Sequence, residues 1–346
     1  MAINKQIHLV SRPNVEASVD NFRLVEAPVP AVSEGQVLVR NHFLSLDPYM
    51  RGRMNDAKSY AQPQPLNAVM QGGTVGEVVE SKHANYQAGD KVVGFGGWQQ
   101  YCLVEGGAPG MLRKVDTTHI PLSAYLGAVG MPGVTAWYGL MQICQPKPGE
   151  TIVVSAASGA VGSAVGQLAK AKGCRAVGIA GGADKCGYVK NELGFDECLD
   201  HRSPDLAAQL KAACPKGIDV YFENVGGKVF DAVFPLLNDF SRIPVCGLIA
   251  DYNTIFTKDT PTPPWANTIM RAILVKRLNF RGFIVRDFAA MFPDFIRDMP
   301  QWLREGKIKH REFVTEGLDS APAAFMGLLK GANFGKQLVR VGPDKA

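Results

Sequence analysis

The 346-residue sequence has no Cys-x-x-Cys pair and no cluster of histidines. Its seven cysteines, Cys102, Cys144, Cys174, Cys186, Cys198, Cys214 and Cys246, stand singly. That scatter argues against a disulfide framework and a structural zinc, and it predicts reduced thiols. No apolar run approaches the length of a membrane span, so a soluble protein with no membrane partner is expected. The opening stretch, MAINKQIHLVSRP, lacks an apolar leader core and a small-residue cleavage site, and the expected location is the cytoplasm. A net charge of +5 is spread without a basic block or interleaved aromatics, which leaves nucleic acid without an electrostatic footprint. Internal repeats and low-complexity tracts are also missing.

What is present changes character along the chain. Up to about residue 120, Gly, Pro, Asn or Asp interrupt the sequence roughly every ten residues, and the runs between them, such as GQVLVRNHFLSL and GDKVVGFGGWQQYCLV, are rich in Val, Phe and Tyr. Short antiparallel strands in a barrel or sandwich are predicted. Beyond VTAWYGLMQI, which reads as helix, apolar runs alternate with helical patterns: TIVVSA, RAVGIA, ECLD, GIDVYFENV, SRIPVCGLI and NFRGFIV read as strands, and 160–172, 184–193 and 204–213 as helices. Right-handed crossovers then give a parallel, doubly wound α/β sheet. After a long amphipathic helix near 287–304, a strand, a helix and a strand are expected to rejoin the first domain. The expected division is 1–125 with 307–346 for the β domain and 126–306 for the α/β domain. The proline-rich stretch 251–265 is too long for an ordinary turn; it reads equally as a site cover or a surface excursion.

The segment VVSAASGAVGSAVGQLAKAKG (153–173) runs from strand through small residues into helix. Gly159, Gly162 and Gly166 at such a junction leave backbone amides and a helix N-terminus open to a pyrophosphate, or else permit close helix packing. The strand before and the strand and helix after favour a dinucleotide. An NAD site carries Asp or Glu at the end of the second strand, roughly 20 residues beyond the turn, where it binds the ribose hydroxyls and repels a 2′-phosphate. Here that place holds GIAGGADKCGYVK, with Ala180, Gly181 and Gly182 and then Lys185. NADP(H) is therefore favoured, with a simply solvated Lys185 as the alternative. Asp184 lies too late for the ribose and reads as a helix N-cap.

SLDPYMRGRM (45–54), AASGAVGSAVGQ (156–167), GFDECLDHR (194–202), FENVGG (222–227), CGLIADYN (246–253) and LLKGANFGKQLV (328–339) span essentially the whole chain. Together they resemble the zinc-independent prostaglandin reductase and leukotriene hydroxydehydrogenase branch of the medium-chain dehydrogenase/reductase superfamily, and most closely its bacterial curcumin reductases. The resemblance implies a split GroES-like β domain, an NADP-binding Rossmann domain and a homodimer. It implies reduction of the carbon–carbon double bond of α,β-unsaturated ketones and aldehydes by NADPH. Cofactor contacts are implied at Ala157, Ser158, Gly159, Ala160, Val161 and Gly162 on the turn, and at Lys185 on the 2′-phosphate. His201 stands where mammalian relatives have a tyrosine near the adenosine. Asn224, Cys246, Gly247, Leu248, Tyr252, Phe283, Ile284 and Asn333 complete the implied set, with Phe283 also readable as core and Asn224 as a turn residue. Alcohol-oxidising relatives hold zinc through an early Cys and a Gly-His-Glu stretch. Ser45, Asp47 and Gln71-Gly72-Gly73 stand in those places here, and no metal is expected.

Without a metal to polarise a carbonyl, the substrate must itself accept hydride, as a conjugated enone does at its β-carbon. Negative charge then develops on the carbonyl oxygen, and a hydroxyl donor near it becomes valuable. Tyr60 is the first candidate for the proton donor, followed by Tyr49 and Tyr252. Arg51 and Arg53 near Tyr49 read either as attractors of an anionic substrate or as paired or solvated side chains. Tyr49, Met50, Met54, Trp98, Met131 and Phe283 are candidates for an apolar pocket, although most such residues are core. An NADPH quinone reductase of the same superfamily, or a non-catalytic NADPH-binding regulator, are the competing readings.

Overall fold

Thr151–Ser155 is buried at every residue, as a strand covered on both faces by crossover helices requires, and it lies at the centre of a parallel sheet. In this computed structural model, described over residues 2–57, 59–108, 111–253 and 266–342 (backbone alone at 266–268), contacts divide the chain into Met131–Arg311 and a second unit of Met1–Gly130 with Glu312–Ala346. Within the first unit the strands are β1 (Thr151–Ser155), β2 (Arg175–Ala180), β3 (Glu197–Asp200), β4 (Ile218–Phe222), β5 (Leu237–Val245) and β6 (Asn279–Gly282). Their spatial order is β3-β2-β1-β4-β5-β6, all neighbours parallel. This is the doubly wound dinucleotide-binding order, with its reversal point between β1 and β4.

The crossovers are helices α1 (Gly162–Ala171), α2 (Ala183–Asn191), α3 (Leu206–Ala213) and α4 (Gly227–Val233), followed by α5 (Ala266–Lys276) and α6 (Phe292–Arg304). Val153, Val177, Ile179, Leu210, Ile218, Tyr221 and Ile243 belong to one core, each almost wholly buried. Full burial of such side chains stabilises by about 1.5–3 kcal/mol each. Gly166 has a separate packing role, since a Cβ there lies 1.7 Å from Cζ of Phe195. Gly166→Ala gains about 1 kcal/mol of helix propensity but loses about 1–3 kcal/mol to overpacking, and the clash wins at that distance. The expected result is a fall of about 2–8 °C in melting temperature. An unchanged melting curve means that the Phe195 ring yields freely.

The second unit is β throughout most of its length. Ile3–Leu9 pairs with Phe22–Pro28 and Ala68–Val69. A seven-stranded sheet is built around Gln36–Ser45, which pairs with both Thr74–Ser81 and Tyr101–Glu105. Lys336–Arg340 pairs antiparallel with Gln36–Ser45, with Leu338 opposite Ser45, so the C-terminal segment does return to the N-terminal strands. Its partner Glu312–Glu316 begins the return at 312, five residues later than 307. Met50, Met54 and Trp98 are fully buried in this unit's core, with Trp98 stacked on Phe22 at 5.2 Å. They are core residues and do not line a pocket, because the aromatic stack and the helix Ala321–Leu329 cover them. Among the described residues no helix is long and apolar enough to cross a membrane. Of the stretch 251–265, residues 254–265 lie outside the described residues.

Candidate active site

The carboxyl ends of β1 and β4 flank the reversal point of the sheet, where diverging crossovers open a crevice for a ligand. β1 ends at Ser155, and the next residue, Ala156, adopts a left-handed φ of 50°. A non-glycine residue there is strained, a feature that concentrates at functional turns. The turn folds tightly: the Gly159 amide donates to Ala156 O at 2.9 Å, and a Cβ on Gly162 falls 2.4 Å from the same oxygen. Only glycine fits at 162. Ser163 and Val165 donate to Gly159 O and Val161 O. Among the described residues, the amides of Ser158, Ala160, Val161 and Gly162 have no backbone acceptor, which leaves the first turn of α1 open to an anion.

Ala157 belongs to the frame of the turn. Its amide already donates to Ile179 O at 3.0 Å, and its side chain is fully buried. Gly159 is likewise closed on Ala156 and acts through shape. The open amides of the turn are those of Ser158, Ala160, Val161 and Gly162.

At the end of β2 the chain makes a second small-residue turn. Gly182 takes a φ of 94° and is the N-cap of α2, with no side-chain cap. Asp184 is in the first turn of that helix and not at its cap, where it still interacts favourably with the helix dipole. A Cβ on Gly181 lies 2.8 Å from Nε2 of His201, and one on Gly182 lies 3.3 Å from Nη1 of Arg202. Lys185 is half-buried, and burial followed by the nearby Arg202 charge lowers its pKa. Two cations and an imidazole thus converge over a pair of glycines, an arrangement that fits a dianionic 2′-phosphate. Asp200 is turned away to accept the Arg202 amide at 2.9 Å, and the same corner receives the Gly182 amide. Arg202 is a cation at this corner that sequence reasoning missed. It sits one residue beyond His201 in LDHR, and only the turn at the end of β3 brings it over Gly182.

On the other side of the crevice, Asn224 is tied to the end of β1: its backbone N–H donates to Ser155 Oγ at 2.8 Å, and its Nδ2 donates to Ser155 O at 2.8 Å. Beneath it lies Glu223, also missed from the sequence and 2% exposed. One carboxylate oxygen accepts from Val225 N at 2.7 Å, Tyr221 OH at 2.9 Å, Gly226 N at 3.0 Å and Ser155 Oγ at 3.2 Å. The other, Oε2, is buried with no partner among the described residues. Burial outweighs those donors and raises the Glu223 pKa. The folded state therefore holds that proton more tightly than the unfolded chain, and stability falls as pH rises from the ordinary carboxyl range through the raised value. Glu223→Gln keeps the accepting oxygen and cannot ionise. Its melting temperature relative to the parent should climb from pH 5 to pH 8, and a pH-independent difference rules out the ionisation.

The amides of Cys246 and Gly247 donate to Glu223 O at 2.9 and 3.2 Å, and Ile249 N donates to Asn224 O at 3.2 Å. The loop 246–251 is thereby laid along the crevice. Burial, then the Glu223 charge, pushes the Cys246 thiol up to about 12, so it is not a nucleophile. The Tyr252 hydroxyl lies over Gly247, 3.0 Å from where a Cβ would project. Phe283 is buried, edge-on to Phe222 at 6.4 Å and 3.0 Å from a Cβ on Gly139. Its ring is core, and the adjoining Ile284 caps the next helical turn, its backbone N–H donating to Asp287 Oδ2 at 3.2 Å.

In the other unit, Tyr49 opens the short helix Tyr49–Arg53. It is half-buried against the core. Arg51 and Arg53 of that helix are buried: Arg51 donates to Val15 O and Asn55 Oδ1, and Arg53 to Ala61 O at 2.8 Å. The Arg53 guanidinium lies 4.2 Å from the ring centre of Tyr60 and 6.0 Å from that of Tyr49. Tyr60 is 59% exposed. Its ring is covered by the Arg53 guanidinium, the geometry of a cation–π contact. Asn333 donates to Gly335 O at 2.7 Å, shaping the loop before Lys336–Arg340. Where zinc-binding relatives hold metal, Asp47 instead accepts from the buried Lys336 ammonium at 2.7 Å and from Ser45 Oγ at 2.5 Å. Among the described residues no group of three or more His, Cys, Asp or Glu side chains is placed to hold a metal ion.

Residues 5–112 match the family described as the N-terminal domain of oxidoreductase, and residues 160–301 the family described as zinc-binding dehydrogenase. The chain is 53% identical to the NADPH-dependent curcumin reductase of Escherichia coli over 99% of its own length and 98% of the relative's. It is 42% identical to the 2-alkenal reductase (NADP(+)-dependent) of Nicotiana tabacum, over 90% of this chain and 89% of the other. The crystal structure of CurA from Vibrio vulnificus in complex with NADPH superimposes with a TM-score of 0.92 at 49% identity, covering 98% of this chain and 99% of that one. The sheet order, the open glycine turn and these whole-length matches agree, and the chain belongs to the medium-chain dehydrogenase/reductase superfamily, in the branch of the prostaglandin, alkenal and curcumin reductases.

Proposed function

We propose that this protein reduces the carbon–carbon double bond of α,β-unsaturated ketones and aldehydes, including curcumin-like dienones, at the expense of NADPH and without zinc. It is an NADPH-dependent oxidoreductase acting on C=C bonds. The observation that carries the reading is the match to the curcumin reductase along almost the full length of both chains. The bound nicotinamide supplies hydride. The amides of Ser158, Ala160, Val161 and Gly162 hold its diphosphate, while Lys185, Arg202 and His201 hold the 2′-phosphate. Asn224, fixed by Ser155, and the 246–252 loop shape the crevice for the remainder. Tyr60 provides the phenolic proton for the α-carbon and stabilises developing charge on the carbonyl oxygen, with Tyr49 and Tyr252 as the next candidates.

Freedom from zinc is supported by Asp47, whose carboxylate is occupied by Lys336 and Ser45. A homodimer is supported by the position of β6 at the sheet edge and by the exposed Met270, Leu274 and Val275 of the preceding α5. All seven cysteines are free, which supports a reducing cytoplasmic setting. NADPH consumption with a simple enone, a quinone and a saturated ketone, each with and without a chelator, tests the whole. Enone turnover that survives the chelator is expected. Quinone turnover alone makes the protein a quinone reductase, and binding without turnover makes it a regulator.

A further inference from the structure

Tyr60 sits on the loop 54–64, and the two ends of that loop are joined by a residue far away in the sequence. The strand Ile3–Leu9 runs antiparallel to Ala68–Val69, with Leu9 opposite Ala68. Continuing that register carries Arg12 level with Pro65, beside the exit of the loop. There its guanidinium forks: Nη1 donates to Met54 O at 2.9 Å and Nη2 to Gln64 O at 3.1 Å. Met54 is the C-cap of the helix Tyr49–Arg53, and the last carbonyls of a helix need partners from outside it. One planar group thus caps the helix and closes the loop.

The rest of the neck is firmly held. Gln64 N donates to Arg53 O at 2.8 Å, and Met54 is fully buried. The buried Gln64 side chain donates to Val69 O at 3.0 Å and accepts from Gln71 N at 3.0 Å. Within the loop the Arg53 guanidinium donates to Ala61 O and covers the Tyr60 ring. Tyr60 itself is exposed, so burial does little to fix its place and the anchoring of the loop decides it. We propose that Arg12 is a positioning residue for the reduction: by clamping Met54 to Gln64 it sets where the Tyr60 hydroxyl lies, without touching substrate or cofactor. A guanidinium suits this task because it gives each carbonyl its own charge-assisted bond in one fixed plane, whereas an ammonium offers a single nitrogen to both. The effect on turnover rests on the Tyr60 reading above; the clamp on the loop does not.

Arg12→Met keeps the apolar stem and removes the fork. In a brief exposure of the folded full-length protein, chymotrypsin should cut after Tyr60 about tenfold faster in Arg12→Met than in the parent. Because a misplacement of about 1 Å can cost a factor of about 100, kcat for a simple enone should fall about 10- to 100-fold, with the KM for NADPH changed less than about twofold. On a Tyr60→Phe background the same substitution should leave the remaining turnover within about twofold, since the hydroxyl that it displaces is gone. A purely structural role lowers turnover equally on both backgrounds. Arg12→Lys separates the fork from the charge: its kcat should stay near that of Arg12→Met, and full recovery by lysine overturns the proposal. Equal cleavage rates in parent and Arg12→Met, or equal losses on the two backgrounds, overturn it as well. Arg12→Gln gives the same readouts if Arg12→Met does not fold. If Tyr60→Phe alone retains full enone turnover, the acid assignment fails, and the cleavage rate still decides whether Arg12 clamps the loop.

Discussion

Tyr60→Phe is expected to lower kcat for a simple enone by about 100-fold or more, with a much smaller change in the KM for NADPH. A positioned acid contributes about 10²–10⁴ to a rate, and removal of the hydroxyl deletes that contribution while keeping the ring. The ring is what the fold holds: Arg53, itself anchored on Ala61 O, lies 4.2 Å from its centre. Phe preserves that contact, so a fall in kcat reports the hydroxyl and not a collapsed loop. Tyr49→Phe serves as the comparison, because its half-buried ring packs on the core and its loss of function should be smaller. Full enone turnover in Tyr60→Phe removes Tyr60 from the acid role and passes it to Tyr49, Tyr252 or water.

Lys185→Glu should weaken NADPH binding by at least about 100-fold while changing NADH binding only a few-fold. A charge-assisted hydrogen bond to a phosphate is worth about 1.5–3 kcal/mol, and reversing the charge adds repulsion to that loss. Each 1.4 kcal/mol is a factor of ten. Half-burial of Lys185 beside Arg202 makes the effect larger than for a solvated lysine, since water screens the site less. Arg202→Ala should shift selectivity in the same direction by a smaller factor, because Arg202 is exposed. Fluorescence titration of both nucleotides separates the cases: equal losses for NADPH and NADH mean that these residues stabilise the turn and do not read the phosphate.

Much of this was legible in short windows. The all-apolar run at 151–155, the small residues at 156–162 and the helical spacing that follows lie within about twenty residues of one another, and local geometry is enough to turn them into strand, turn and helix. The missing carboxylate after β2 was equally local, since the ribose-binding position is counted from the turn. Residues whose role depends on a distant partner were not legible. Glu223 looks like any acid in FENVGG until β1 and β4 are laid side by side and Ser155 meets it. Phe283 carried a cofactor assignment from family resemblance with a core role as its alternative, and only the placing of β6 beside β5 shows that its ring is buried under Phe222 and Gly139. Ala157 matched the motif by position, but its amide had already been taken by Ile179 of the neighbouring strand.

By itself the amino-acid order determined the alternation of strand and helix, the phosphate-binding turn and the preference for the phosphorylated nucleotide, because each follows from spacing along one stretch of backbone. Only the tertiary structure decided which amides stay open, which acid is buried and which arginine lies over Gly182. Those properties are set by burial and by contacts between strands and helices far apart in the chain, where a hydrogen bond made to one partner is no longer available to another.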